Sequence, residues 1–144
     1  MFSKTCEYAI RAMIYIAQQS KSGGKTGFKQ IAHAIDAPEP FIAKILQQLG
    51  RENLVQSSKG PHGGFYINEQ TMNRTLADVV KAIDGDKIFS GCGLGLTFCS
   101  EKNPCPIHNE FKSIRNQMQQ MLQSATVSQF NDLLDRRLVH LGRN

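Results

Sequence analysis

The chain has 144 residues, 40% hydrophobic and 20% charged, which is a globular composition large enough for one core plus an accessory element and excludes a disordered chain. No apolar run approaches the roughly 20 residues needed to span a bilayer, and no export signal is evident, so the expectation is a cytoplasmic chain in a reducing compartment, with no membrane partner. The formal charge of +5 is uneven: residues 1–75 carry nine Lys/Arg against five Asp/Glu, residues 76–144 eight against seven, so the first half is the one suited to a polyanion.

In chain order, residues 4–19 predict a helix whose apolar face recurs at spacings of three and four through Ala9, Ile10, Met13, Ile16 and Ala17. Ser3 or Thr5 can cap its start, and the polar stretch from Ser20 to Gly24 ends it. Glu7 in the first turn complements the helix dipole, and Cys6 beside it reads as a small packed residue. A second helix is expected from Phe28 to Ile35, with Ile31, Ala32 and Ile35 inward. After the break at residues 36–38, a proline-started third helix covers about 39–52, since Pro40 is tolerated in a first turn. It turns Phe41 or Ile42, then Ile45, Leu46 and Leu49 inward and shows Ala43, Lys44, Gln47, Gln48 and Arg51 outward. Two helices joined by a tight turn, the second exposing amides and cations, form the helix-turn-helix pattern.

The next segment strengthens that reading. Residues 54–57 and 65–67 predict two strands around the turn cluster Lys59-Gly60-Pro61-His62-Gly63-Gly64. A hairpin directly after a recognition helix is the wing of a winged-helix domain. Lys59 at its tip can reach a phosphate, Gly60 lets backbone approach closely, and His62 is a loop histidine within reach of DNA. The candidate DNA-contacting set is therefore Pro40, Ala43, Lys44, Gln47 and Gln48 on the third helix, with Lys59, Gly60 and His62 on the wing. A further helix opens at Thr75, with Asp78 completing a capping box, and closes at Gly85.

Residues 91–108 then hold Cys92, Cys99 and Cys105 in a loop bearing glycine and proline, followed at once by His108. Three thiols and an imidazole on one flexible segment suit soft metals (iron–sulfur clusters, zinc or copper(I)) over magnesium or calcium. Three is also an odd number for disulfide pairing. From Ile107, the residues Phe111, Ile114, Met118, Met121 and Ala125 follow at intervals of four and three, a heptad seam on a long helix that asks for a partner helix. A two-fold homodimer through the 106–125 helix is the natural answer. A last helix is expected over about 128–141, packing Phe130, Leu133, Leu134, Leu138 and Leu141.

The expected fold is mainly α: a winged helix-turn-helix DNA-binding domain with a two-stranded wing over residues 1–85, a cysteine loop over 86–108, and a dimerisation helix with a C-terminal helix over 109–144. Paired catalytic carboxylates and nucleotide-binding loops are absent from the sequence, so an enzyme is not expected.

This pattern resembles the winged-helix iron–sulfur regulators typified by IscR and NsrR. The resemblance spans essentially the whole chain. It is carried by Glu7-Tyr8-Ala9-Ile10-Arg11, by Lys59-Gly60-Pro61-His62-Gly63-Gly64-Phe65, by Leu76-Ala77-Asp78-Val79-Val80, and by the three-cysteine loop. It implies a homodimer on palindromic promoter DNA, with an iron–sulfur cluster (2Fe-2S ahead of 4Fe-4S) on Cys92, Cys99 and Cys105 that sets operator affinity. Here six residues, then five, separate the cysteines, against five and five in the IscR branch. His108 matches that branch's completing histidine. Glu7 matches the acidic ligand that the NsrR branch supplies from the partner subunit's first helix. Of the two, His108 is favoured as fourth ligand. Lys44 and Lys59 match DNA-contact positions, whereas Ala43 departs from the acidic residue the IscR branch uses there, so that branch's operator preference does not transfer. A structural zinc held by the same four donors, or direct thiol oxidation, is the alternative.

Overall fold

Helix α1 (Lys4–Ser20) is the element on which the others are laid. Its inner stripe, Cys6, Ala9, Ala12, Met13, Ile16 and Ala17, is wholly buried. Three of those residues are alanines, which lets neighbouring backbones come close. The computed structural model describes residues 1–143, in the order α1, α2 (Phe28–Ala34), α3 (Glu39–Arg51), β1 (Gln56–Ser58), β2 (Gly64–Tyr66), α4 (Glu69–Met72), α5 (Leu76–Asp84), α6 (Lys87–Ser90), α7 (His108–Ser124) and α8 (Asn131–Asp135). Helices α2, α3, α5 and α8 and strand β2 all pack on α1. Ser3 caps α1 by accepting the Cys6 N–H at 3.0 Å, and its own N–H and hydroxyl donate to the Asp84 carboxylate at 3.1 and 2.5 Å. The start of α1 is thereby tied to the end of α5.

The helix-turn-helix is α2 and α3. Asp36, at φ 52°, makes the turn between them. Ile42, Ile45, Leu46 and Leu49 form the buried face of α3, while Phe41, read as an alternative to Ile42, stays 54% exposed. Helix α3 ends in a left-handed cap: Asn53 takes φ 59°, its N–H donates to the Gly50 carbonyl, and the Leu54 N–H donates back to Leu49. This cap consumes Leu54 and Val55, both buried, so the strand expected at 54–57 begins two residues later.

The wing pairs Gln56 with Tyr66, Ser57 with Phe65 and Ser58 with Gly64, antiparallel. Thr26 adds an antiparallel bridge to β2, exchanging backbone hydrogen bonds of 2.9 and 2.7 Å with Phe65. Gly64, at φ 146°, lies so close to Thr26 that an added Cβ would meet its backbone at 3.0 Å, and only glycine fits both the space and the angle. Beneath the wing, the buried Ser20 hydroxyl donates to the Ile16 carbonyl at 2.7 Å and accepts the Ile67 N–H at 3.0 Å. One side chain thus joins α1 to the strand leaving the wing.

The expected capping box at Thr75 and Asp78 is present, and Gly85 closes α5 at φ 76°. Two short helices, α4 and α6, had no periodic signal because four residues make barely one turn. Helix α7 runs as its periodicity predicts, although it begins at His108, which places that residue on the helix and not in the loop. Its end is sewn to the start of α5: Leu76 N–H donates to the Ala125 carbonyl at 2.8 Å and Val127 N–H to Arg74 at 2.9 Å. Of the residues within α7, the buried one is Leu122, which lies off the seam.

The C-terminal helix differs from expectation. In place of a helix over about 128–141, five residues are helical, because Arg137 adopts φ 56° and closes a second left-handed cap, with the Leu138 N–H on the Leu133 carbonyl at 2.9 Å. Leu138 is left 60% exposed. Asn144, within the expected third segment, lies outside the described residues. The tail still returns to α1 and the turn after α2: Arg11 donates Nη1–H to the carbonyls of Ile35 at 2.7 Å and Leu141 at 3.1 Å.

Replacing Ser20 by Ala leaves the buried Ile67 N–H without an acceptor. Urea unfolding of Ser20→Ala is expected to show a loss of about 1–3 kcal/mol with an unchanged slope. A variant as stable as the parent would show that the α1–wing tie contributes nothing.

Candidate functional site

The loop between α6 and α7 gathers its three cysteines at one point. Their Sγ atoms all lie within 4.8 Å of one another, and Cys92 and Cys105 stand 3.7 Å apart. Short backbone bonds shape the loop. The Gly95 N–H donates to Cys92 at 3.0 Å, the Cys99 N–H donates to Leu96 at 3.3 Å, and Ser100 and Asn103 exchange a reciprocal pair at 3.1 Å. Arg115 of α7 donates Nη1–H to the Gly91 carbonyl at 2.7 Å and pins the loop's entry to the helix. Gly93 packs against the Phe111 ring, which a Cβ would meet at 2.8 Å.

Backbone donors also reach the sulfurs: Leu94 N–H lies 3.4 Å from Cys92 Sγ and Cys105 N–H 3.4 Å from Cys99 Sγ. The N–H groups of Leu96 and Leu94 favour the thiolate and bring the Cys92 thiol down from 9.0 to about 7. Burial pushes the Cys105 thiol the other way, partly opposed by the Ile107 N–H at the start of α7. Cys6 is not part of this group. Burial first, then the Asp84 carboxylate, push its thiol up to about 12, which keeps it neutral, and it is fully buried, the small packed residue the sequence led one to expect.

His108, the first residue of α7, turns Nδ1 toward Cys99 Sγ at 3.2 Å. Its Nε2 is buried 3.3 Å from Glu101 Oε1, near enough for an ion pair but not aligned for a hydrogen bond. Glu101 also pairs with Lys112, and Lys112, then His108, hold its carboxyl below the usual carboxylate value. Glu101, Lys112 and Arg115 were not selected from the sequence, where single charges on a loop and a helix look like solvated surface. Glu7 lies exposed on α1, paired with Lys4 at 3.7 Å, and is not among the residues gathered around the thiols within one chain.

The donor set fits a soft metal. Three thiolates this close repel one another and a cation between them relieves that repulsion, and the imidazole edge facing Cys99 offers a fourth donor to a set of the kind that holds iron–sulfur clusters or zinc. Leu94, Leu96 and Phe98 on the loop are 51%, 52% and 83% exposed. On α7, Ile114 and Met121 of the seam are exposed and Phe111 and Met118 half-buried. A cleft of about 700 Å³ separates the loop from this seam.

In the winged helix, Pro40, Lys44 and Gln47 of α3 face solvent, Ala43 is half-buried, and Lys59, Gly60 and His62 are exposed at the wing tip. Gln48 stands apart, because its amide donates to the Ala82 carbonyl at 3.0 Å and bridges α3 to α5. Arg51, which the sequence placed outward without selecting it, lines with Gln47, Ser57 and Tyr66 a groove of about 830 Å³ between α3 and the wing. Lys25, 5.5 Å over the Tyr66 ring, adds a further cation beside it.

Residues 2–132 match the family described as Rrf2, iron-dependent transcriptional regulator. A protein of Aquifex aeolicus whose name describes an HTH-type transcriptional regulator is 28% identical over 145 residues, 99% of each chain. Among solved structures, CymR of B. subtilis, described as its global cysteine regulator, superposes with a TM-score of 0.74 at 20% identity, covering 92% of this chain and 97% of CymR. IscR of T. potens gives 0.70 at 20% identity, covering 94% and 88%. These structures share the winged-helix architecture read from the sequence.

The two extreme thiols should behave differently toward alkylation. In reduced, metal-free protein, iodoacetamide labelling of Cys92 followed by mass spectrometry is expected to rise with pH about a midpoint near 7, while Cys6 stays unlabelled through pH 9 in the native fold. Equal labelling of Cys6 and Cys92 at pH 7 would contradict this assignment.

Proposed function

The chain belongs to the Rrf2 family of transcriptional regulators, DNA-binding proteins and not enzymes, and on that premise we propose that it is a homodimeric regulator whose operator affinity is set by a metal or cluster on Cys92, Cys99, Cys105 and His108. The observation that carries the reading is the meeting of three sulfurs within 4.8 Å beside an imidazole, in the one loop that links the winged helix to α7. Glu7 of the partner subunit is the alternative fourth ligand. An iron–sulfur cluster bound there, 2Fe-2S ahead of 4Fe-4S, supplies sensitivity to redox state, nitric oxide or iron–sulfur supply, whereas zinc supplies only a crosslink.

The rest follows from the chain's own residues. Each α3 enters a major groove, with Lys44 toward phosphate and Gln47 toward base edges, supported by Pro40 and Ala43 at the helix start, while Lys59, Gly60 and His62 follow the adjacent backbone. Gln48 serves by holding α3 to α5. The exposed seam of α7 finds its cover in the same seam of a second copy, which fixes the spacing of the two recognition helices. Ordering of the cysteine loop is felt by α7 through the Arg115–Gly91 bond and the Phe111–Gly93 contact. From there it reaches α5 through the Ala125–Leu76 bond and α3 through Gln48. A bias of about 1–3 kcal/mol along this route changes affinity 5- to 150-fold, enough for a switch.

Anaerobically purified protein is expected to carry iron and acid-labile sulfide and to change affinity within that range for genomic fragments it selects when they are removed. The triple Cys→Ser variant is expected to hold neither and to stay at one affinity. A colourless protein with one zinc per chain would move the site to the structural reading, and a triple variant indistinguishable from the parent would end the proposal. Separately, Lys44→Ala and Lys59→Ala should each weaken binding across all fragments and reduce the slope of log K against log salt by about 1. An unchanged slope in both would remove these lysines from the phosphate contacts.

A further inference from the structure

The reciprocal hydrogen bonds between Ser100 and Asn103, reinforced by the Asn103 side chain donating to the Phe98 carbonyl at 3.2 Å, make a tight turn between the second and third cysteines. Glu101 sits on that turn. It is 64% exposed, so burial does not explain its position, yet its carboxylate bridges two side chains one helical turn apart on α7: Nε2 of His108 at 3.3 Å and the ammonium of Lys112. The opposite edge of the same imidazole presents Nδ1 to Cys99 Sγ at 3.2 Å. Lys112, Glu101, His108 and Cys99 therefore form one line that ends at the thiol group, and the His108 ring, only 13% exposed, has little room to turn out of it.

We propose that Glu101 is a positioning residue for His108: it keeps the ring proton on Nε2, so that the unprotonated Nδ1 faces the three sulfurs as a donor atom, and Lys112 holds the carboxylate in place. The physical reason is that a neutral imidazole carries one proton and offers one lone pair, and the partner of one nitrogen decides which role falls to the other. A carboxylate within reach of Nε2 and with no donor of its own to offer stabilises the proton on that side. The same arrangement recurs wherever a carboxylate stands behind a metal-bound histidine, where losing the carboxylate typically costs about 10- to 100-fold in metal affinity.

The inference rests on His108 being a ligand, so the test separates the two. Nitrogen-15 NMR of the imidazoles in reduced, metal-free, full-length protein reads the tautomer directly, with His108 assigned among the four histidines by the signal missing from His108→Ala. Wild type is expected to show His108 protonated on Nε2. Glu101→Ala should lose that preference and Glu101→Gln should largely keep it, because the Gln carbonyl still accepts the proton. Zinc alone, titrated anaerobically against a competing chelator, should bind about 10- to 100-fold more weakly to Glu101→Ala, with Glu101→Gln closer to wild type and Lys112→Ala between them. If both Glu101 variants keep the wild-type tautomer and zinc affinity while His108→Ala loses affinity, the positioning role is overturned and the ligand assignment stands. If His108→Ala binds zinc as wild type does, both fall.

Discussion

Three thiol groups held within 4.8 Å of one another are an electrostatic problem that the rest of the loop is built around. Two thiolates about 4 Å apart repel by roughly 1 kcal/mol in bulk water and about 4 kcal/mol near a protein surface. The metal-free chain answers by splitting the burden: backbone N–H groups draw Cys92 toward the thiolate, while burial keeps Cys105 protonated. A soft cation at the centre removes the conflict, since it replaces thiol protons and binds thiolates preferentially. The closeness of the three sulfurs is therefore a stronger argument for a metal than cysteine spacing alone.

Few joints separate the cysteine loop from α3. Helix α7 is fastened to the loop at its amino end by Arg115 and Phe111, and to α5 at its carboxyl end through Ala125 and Val127. Helix α5 meets α3 through the Gln48 amide and meets α1 through Ser3 and Asp84. Each joint is a hydrogen bond or close contact between rigid elements, so a shift at one end has a mechanical path to the other. Coupling energy along that path is what the proposed function requires.

Much of this was legible in the sequence where the signal is local. The helix-turn-helix, the capping box at Thr75 and Asp78 and the long α7 follow from periodicity and caps within a few residues. The convergence of Cys92, Cys99 and Cys105 followed from donor chemistry on one short loop. What failed did so for a shared reason: Asn53 and Arg137 both adopt the left-handed conformation, the first delaying β1 and the second ending α8 early, and neither is the glycine that usually announces such a cap. The bridging of His108 and Lys112 by Glu101, and the use of Gln48 as a strut, were invisible because each depends on residues brought together only by the fold.

The grip of Arg11 on Leu141 has a consequence for how the molecule is made. The guanidinium beside Tyr8 anchors the turn of the DNA-reading unit at Ile35, and its second bond goes to a carbonyl 130 positions later. A nascent chain emerging from the ribosome has its recognition helix long before it has that clasp. The turn between α2 and α3 therefore gains its last bond late, and a truncation before Leu141 removes one of the two carbonyls that hold the Arg11 guanidinium there.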